Sequence, residues 1–516
     1  MKKDLRTLRT AIAALGIAAF AIVADAQYTA IYTFNCVYDG CSPYYADLLA
    51  QGQDGLVYGT MPMGVGGTAY GSLFAYPAGG PVTIYGLKNP GEPDAPYSGL
   101  TLGIDGNLYG ASVHGGVNNG SGSTYGMIFK IADRVITPIH YFAGGNKGSY
   151  PYAPPIQGPD GNLYGVTSDG EGSGKVYQVV LATGKLGWIH RLPSGSRAPL
   201  ILANDGNFYG TVPYGGFTIK GVPPENNDGG AVFRVTPSGV LTGVYNIYAE
   251  SAHNNDHGDG SQPWGPVMQG KDGALYGTAS EGGAHEGGVI YRLTLDGAYT
   301  VLHNLQALDG TQPNGGLVQG SDGYLYGLAS EGGPVVTPYV AAGTLFKIQS
   351  NGHNFERLFS FYRGTGGRGP GSYPSSTPLL HTSGLIYGLT ASGGKGITGS
   401  STYGSYDDGG ELFRYKAGLK PFISIVGVRA ANVGDHLELL GHGFKHATGV
   451  KFGSISVPWN SQSVTVWSDT YMTVTVPAGA TVGPVTVIEP GGDLSTLFDL
   501  AIKKGSCEGL LCSKHP

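Results

Sequence analysis

A six-residue phrase, Asp-Gly-x-Leu-Tyr-Gly, constrains this chain more than any other feature, because it returns seven times. Copies begin at Asp54, Asp105, Asp160, Asp205, Asp272 and Asp322, and a degenerate seventh reads Ser383-Gly-Leu-Ile-Tyr-Gly388. Their tyrosines, from Tyr58 to Tyr387, are spaced 51, 55, 45, 67, 50 and 61 residues apart. A period of this length marks a supersecondary unit that buries its apolar face against copies of itself. Glycine (91) and proline (32) are abundant, which without periodicity would indicate low complexity. Here the glycines recur at fixed offsets beside Tyr, Phe, Leu and Val, so they read as turn and close-packing positions.

Each repeat reads as four short strands. In the block from Gln312 to Phe361, Gly316–Gln319 is a first strand and Gly320–Gly323 a tight turn. Tyr324–Ser330 is a second strand, a loop with Gly332-Gly333 follows, and Thr344–Ile348 is a third. Asn351-Gly352 makes another turn before a fourth strand, Phe355–Phe361. Asp-Gly and Asn-Gly between apolar runs are hairpin signals, because these residues tolerate positive φ. The third strand repeats an apolar-aromatic-basic-apolar order, as in Ile128–Ile131, Val232–Val235, Ile290–Leu293 and Leu345–Ile348. No segment sustains a 3.6-residue apolar period.

These features predict an all-β chain built on a seven-bladed β-propeller over residues 27–418. Tyr28–Phe34 matches a fourth strand such as Tyr299–Leu305, whereas the seventh repeat stops after its third strand, Glu411–Tyr415. The N-terminal segment is therefore expected to supply the missing outer strand and close the ring, which removes exposed edges. On the Asp-Gly-x-Leu-Tyr-Gly core with its downstream Gly-Gly and Phe-Lys elements, residues 28–418 resemble the GloVer tandem-repeat family of exported bacterial proteins. That resemblance implies a propeller-like surface protein and transfers no catalytic residue. After Gly418 the grammar changes. Val433-Gly-Asp-His, Gly441-His-Gly-Phe444, Val450-Lys-Phe-Gly453 and Gly483-Pro-Val-Thr-Val487 resemble an IPT/TIG immunoglobulin-like domain over 419–502, and alternating strands of that total length suit a small sandwich. Residues 503–516 form a tail.

The first 26 residues have the form of a secretory signal. Lys2, Lys3, Arg6 and Arg9 precede an apolar run from Ala11 to Val23 and the cleavage site Ala24-Asp25-Ala26. The expected mature chain is secreted, periplasmic or at the bacterial cell surface, without a transmembrane segment. It keeps 26 basic and 34 acidic residues, a net charge of −8 that argues against nucleic acid as a partner. Cys36 and Cys41 form one close pair and Cys507 and Cys512 another. Two local disulfides suit an exported protein, with cross-pairing between the termini as the alternative.

A meander puts the tight Asp-Gly turns on one face and the long loops, Pro213–Gly230, Ala249–Pro263 and Ala391–Gly410, on the other. Binding residues concentrate on such loops, which nominates Tyr214, Asn226, Asn227, Asp228, Trp264, Glu281, Glu331, Tyr403 and Tyr406. Asn254, Asp256 and Asp259 are hard oxygen ligands that would suit Ca²⁺, but no complete EF-hand spacing is present and a hydrated Asx-rich turn is the simpler reading. No other cofactor is indicated. His140, His190 and His303 occupy one repeat position, held elsewhere by Tyr32, Tyr85, Tyr245 and Phe359, which favours packing over acid–base chemistry. The expectation is a non-enzymatic binding or adhesion protein for an extracellular glycan or protein, with the C-terminal domain as spacer or second contact module. The alternative is a glycosidase or lyase acting on extracellular polysaccharide with acid–base residues at the channel mouth; Glu281 and Glu331 could serve if they faced each other, but their equivalent repeat positions make inheritance the better explanation.

Overall fold

The computed structural model describes residues 27–35, 39, 43, 49–62, 71–87, 93–115, 124–169, 173–219, 229–248, 258–335, 339–363, 369–393, 409–459 and 461–503. Among them, seven four-stranded antiparallel sheets follow one another along the chain, here numbered 1 to 7, and six are meanders in sequence order. Sheet 6 is Val318–Gln319, Tyr324–Ala329, Val340–Gln349 and Glu356–Arg363, strand for strand as its turn signals require. Sheet 7 has Leu379–Leu380, Ile386–Thr390 and Glu411–Tyr415, and its fourth strand is Tyr28–Thr33 from the opposite end of the chain. Tyr28 pairs with Tyr415 and Thr33 with Glu411, with a bulge between Ala30 and Tyr32. The only helical elements among the described residues beyond isolated positions are two 3₁₀ turns, so the chain is all-β, and no helix there is long and apolar enough to cross a membrane.

The repeated phrase does two jobs. In six sheets the Asp Oδ1 accepts the backbone N–H two residues on, while Oδ2 accepts the hydroxyl of the motif tyrosine at 2.6–2.9 Å. The Asp thus fixes the turn as an Asx motif and the ring orientation of Tyr at once. The following Gly sits at φ between +76° and +83° in all seven copies, where a Cβ is strained. The closing Gly makes room for an aromatic ring of the neighbouring third strand. A Cβ built on Gly277 would lie 2.4 Å from the Tyr291 hydroxyl, and one on Gly327 would lie 2.5 Å from Phe346.

Burial then joins each sheet to the next. Tyr109 packs with Leu163 and Tyr177 of sheet 3, and Tyr164 stacks on Phe208 of sheet 4 at 4.1 Å. Tyr209, Tyr276 and Tyr326 repeat the pattern toward sheets 5, 6 and 7. Tyr58 does so toward Leu100 and Phe129 of sheet 2. Tyr387 and Leu389 of sheet 7 share a cluster with Val57 and Phe74 of sheet 1.

Residues 420–503 form a separate unit. Ser424–Ile425, His436–Leu440, Tyr471–Thr475 and Val464–Val466 make one sheet; Ile455–Pro458, Gly449–Phe452, Val485–Ile488 and Leu494–Ser495 make another. Their inward residues, among them Leu437, Met472, Val450 and Val487, share one buried cluster. This unit rests on the Asp-Gly turns. Thr470 Oγ1 donates to the Gln53 carbonyl at 2.8 Å, Phe422 N donates to the Thr382 carbonyl, and Lys420 N donates to Ser321 Oγ.

A candidate binding arc where the first strands begin

The first strands of neighbouring sheets lie side by side. A Cβ on Gly265 would meet the Gly315 carbonyl carbon at 2.5 Å, and one on Gly315 would meet the Ser376 oxygen at 2.3 Å. Just before each first strand the chain turns a corner that five sheets share. Ala95, Tyr150, Gln262, Gln312 and Tyr373 all have φ between +50° and +58°, each followed by proline. Strain of this kind in non-glycine residues persists only where the surroundings enforce it. The residue after that proline stands at the same position in sheets 2, 3, 5, 6 and 7: Tyr97, Tyr152, Trp264, Asn314 and Ser375, with Arg197 at the equivalent place in sheet 4. Each stands twelve positions before its motif tyrosine.

Four of these side chains meet across sheets 2 to 5. Tyr97 and Tyr152 approach with ring centroids 5.6 Å apart. The Arg197 guanidinium lies 4.6 Å from the Tyr152 ring centre and 5.2 Å from that of Trp264. Trp264 meets Tyr214 edge to face at 5.5 Å. Gln262 ties the end of the arc together, because its Oε1 accepts from both Tyr214 Oη and Trp264 Nε1 at 3.2 Å and its amide donates to Glu281 Oε2. The result is an aromatic and cationic arc with hydroxyl, amide and carboxylate groups along it, at the end of the first strands opposite the Asp-Gly turns. Rings and a guanidinium in this arrangement offer π faces, flat apolar area and positive charge to a ligand.

Of the residues nominated from sequence, the structure gathers Tyr214, Trp264 and Glu281. Glu331 stands in a bridge with Thr311 that is equivalent to the Glu281–Ser261 bridge of the previous sheet, so the two glutamates are repeat counterparts. Asn226, Asn227, Asp228, Tyr403 and Tyr406 lie outside the described residues, as do Asn254, Asp256 and the four cysteines. Asp259 is described: its carboxylate accepts the Tyr245 hydroxyl at 2.7 Å and its carbonyl accepts that of Tyr299 at 2.6 Å. Burial and the Asp259 carboxylate push both the Tyr245 and Tyr299 hydroxyls to higher pKa.

His140, His190 and His303 are register equivalents, opposite Ile128, Val176 and Ile290 in the third strands, where Leu73, Val232, Leu345 and Leu412 face Tyr85, Tyr245, Phe359 and Tyr32. They sit in three different sheets. His140 contacts the Gly184 carbonyl at 2.8 Å, and its burial lowers its pKa. His303 stacks on Phe355 at 4.1 Å. Reading along the chain missed Tyr97, Tyr152, Arg197 and Gln262. The signal was present as an interval, since counting twelve residues back from each motif tyrosine finds all but Gln262.

The Gloeobacter/Verrucomicrobia repeat family matches residues 200–432. No curated protein matches the chain. Solved structures with a similar arrangement include the β-propeller domain of the Trilobed protease from Pyrococcus furiosus (12% identity, 73% of this chain and 97% of that one, TM-score 0.39). A europium-containing methanol dehydrogenase (11% identity, 75% and 93%, TM-score 0.40) and a luciferin-regenerating enzyme (12% identity, 76% and 97%, TM-score 0.35) are others. The described residues are all-β, and residues 200–432 match the Gloeobacter/Verrucomicrobia repeat model.

Proposed function

We propose that this chain is an exported, non-enzymatic binding or adhesion protein that takes an extracellular glycan or protein on the face bearing Tyr97, Tyr152, Arg197, Trp264 and Tyr214. In this reading the seven sheets are the blades of one propeller, Tyr28–Thr33 closes it, and residues 419–502 are an IPT/TIG-like sandwich. The observation that carries the reading is the convergence of four side chains from one repeat position, in sheets 2 to 5, onto a single continuous arc. Sequence at that position changes from sheet to sheet (Tyr, Tyr, Arg, Trp, Asn, Ser), while five of the six share the backbone corner that presents it and sheet 4, with Gly195-Ser196 before Arg197, does not. A kept corner with varied side chains is the pattern of a binding surface on a rigid frame. The contacts of the C-terminal unit with the turns of sheets 1, 6 and 7 support a second contact module over an extended spacer.

The test is a glycan and polysaccharide array on the mature protein with product analysis in the same wells. Binding without released oligosaccharide is expected, and Trp264→Ala and Arg197→Ala should each weaken it about tenfold or more, the range for buried aromatic and arginine anchors. Release of oligosaccharide would overturn the non-enzymatic reading. Binding indifferent to both substitutions would remove the arc from it.

A further inference from the structure

We infer that a chamber at the opposite end of the first strands is a binding site for a small organic anion, an acid group on an apolar body, with Arg429 as its principal ligand and Lys271 as a second cation. The chamber holds about 290 Å³ and is lined by first-strand residues of sheets 4 to 7, including Leu202, Met268, Val318 and Leu380. The C-terminal unit lines its other side with Phe422, Ile423, Ser424, Arg429, Leu497 and Phe498. That volume is at the low end of small-molecule sites, roughly 300–1,000 Å³, so the ligand is small.

The charge balance points to an anion. Arg429 and Lys271 line the chamber, and no Asp or Glu does. The Arg429 guanidinium lies 3.7 Å from the Phe498 ring centre, and among the described residues no hydrogen bond or ion pair is seen to reach it. Its side chain keeps some accessible surface, yet it is enclosed deeply enough that burial alone lowers its pKa to about 10. A cation withdrawn from water without a counter-charge is costly, and a carboxylate, sulfonate or phosphate meeting the guanidinium fork would relieve that cost.

The polar neighbours do not compete for the guanidinium. Gln269 is engaged with Asn204 and the Gly273 carbonyl; Gln319 accepts the Lys271 N–H and donates to the Gly323 carbonyl. The remaining lining is mostly aliphatic or aromatic, which suits the apolar body.

Isothermal titration of the mature full-length protein with benzoate, phenyl phosphate and neutral benzyl alcohol tests the site and separates carboxylate from phosphate preference. At least one acid is expected to bind at one per chain, ten times or more tighter than the alcohol, with Arg429→Gln weakening it tenfold or more and Arg429→Lys intermediate. Trp264→Ala, on the opposite face, should leave it unchanged, so failure here and failure of the binding arc are distinguishable. Binding of neither acid, equal binding of the alcohol, or indifference to Arg429→Gln would overturn the proposal. Should Arg429→Gln lower the melting temperature enough to cloud the comparison, Lys271→Gln on an exposed turn decides: a several-fold loss supports the site and no loss rejects it.

Discussion

At the scale of single residues, the repeat is a set of local solutions to one geometric problem: turning the chain and seating a tyrosine between sheets. The Asp–Tyr hydrogen bond and the positive-φ glycine are local, which is why the motif tolerates Asn, Ala, Leu or Tyr at its variable place. The closing glycine is different, since its constraint comes from a ring across the sheet. Gly277→Ala would drive a methyl toward Tyr291, and a cost of about 1–3 kcal/mol is expected from overpacking; urea unfolding that shows no loss would contradict the close approach.

A second residue-scale feature is Glu438, buried where the C-terminal unit meets the turns of sheets 1 and 2. Burial, with Asp105 as a further contribution, raises its pKa from an ordinary 4.5 to about 8, while hydrogen bonds with Tyr471 and Gln53 act the other way. The folded protein therefore holds a proton that the unfolded chain has lost across that interval. Stability is expected to fall as pH climbs from about 4.5 to 8, and Glu438→Gln should flatten this trend in thermal melts.

At the scale of elements, the fourth strand of sheet 7 is the piece with the largest sequence separation. Tyr28 anchors it: the ring stacks on Phe359 at 4.0 Å and on Phe413 at 5.4 Å, and the hydroxyl donates to Glu411. Tyr28→Ala should cost about 3–5 kcal/mol, the range for a large buried aromatic, and a loss below ~1 kcal/mol in denaturant titrations would show that the strand contributes little. This pairing was legible from phase alone, because Tyr28–Phe34 is an unmatched fourth-strand pattern ahead of the first repeat and the seventh repeat ends one strand short. The basic residue of the third strands was legible as a pattern but not as a role. It lies across from the motif tyrosine, and in sheet 5 the Arg292 guanidinium reaches Asp272 at 2.8 Å. Sheet 1 carries Ala75 there, a departure visible in the sequence whose consequence depends on the neighbouring sheet.

At the scale of the whole molecule, the C-terminal unit rests on the turn end of the sheets and leaves the loop end to the aromatic arc. Gly427 sits at this contact with φ +65°, and a Cβ there would lie 2.2 Å from Ile104. Gly427→Leu should loosen the docking, seen as an increased radius of gyration in solution scattering with the seven sheets still folded; unchanged scattering would argue that the contact is slack. The sequence by itself determined the sheets, their strand order and the exchange of a strand between termini, because turn chemistry and alternation act over a few residues and repeat visibly. Only the tertiary structure decided which variable side chains meet in the arc and which cation is enclosed at the far end. Those neighbours come from different repeats, or from a different unit of the chain, and no local rule of spacing brings Arg197 between Tyr152 and Trp264 or Arg429 beneath the first strands.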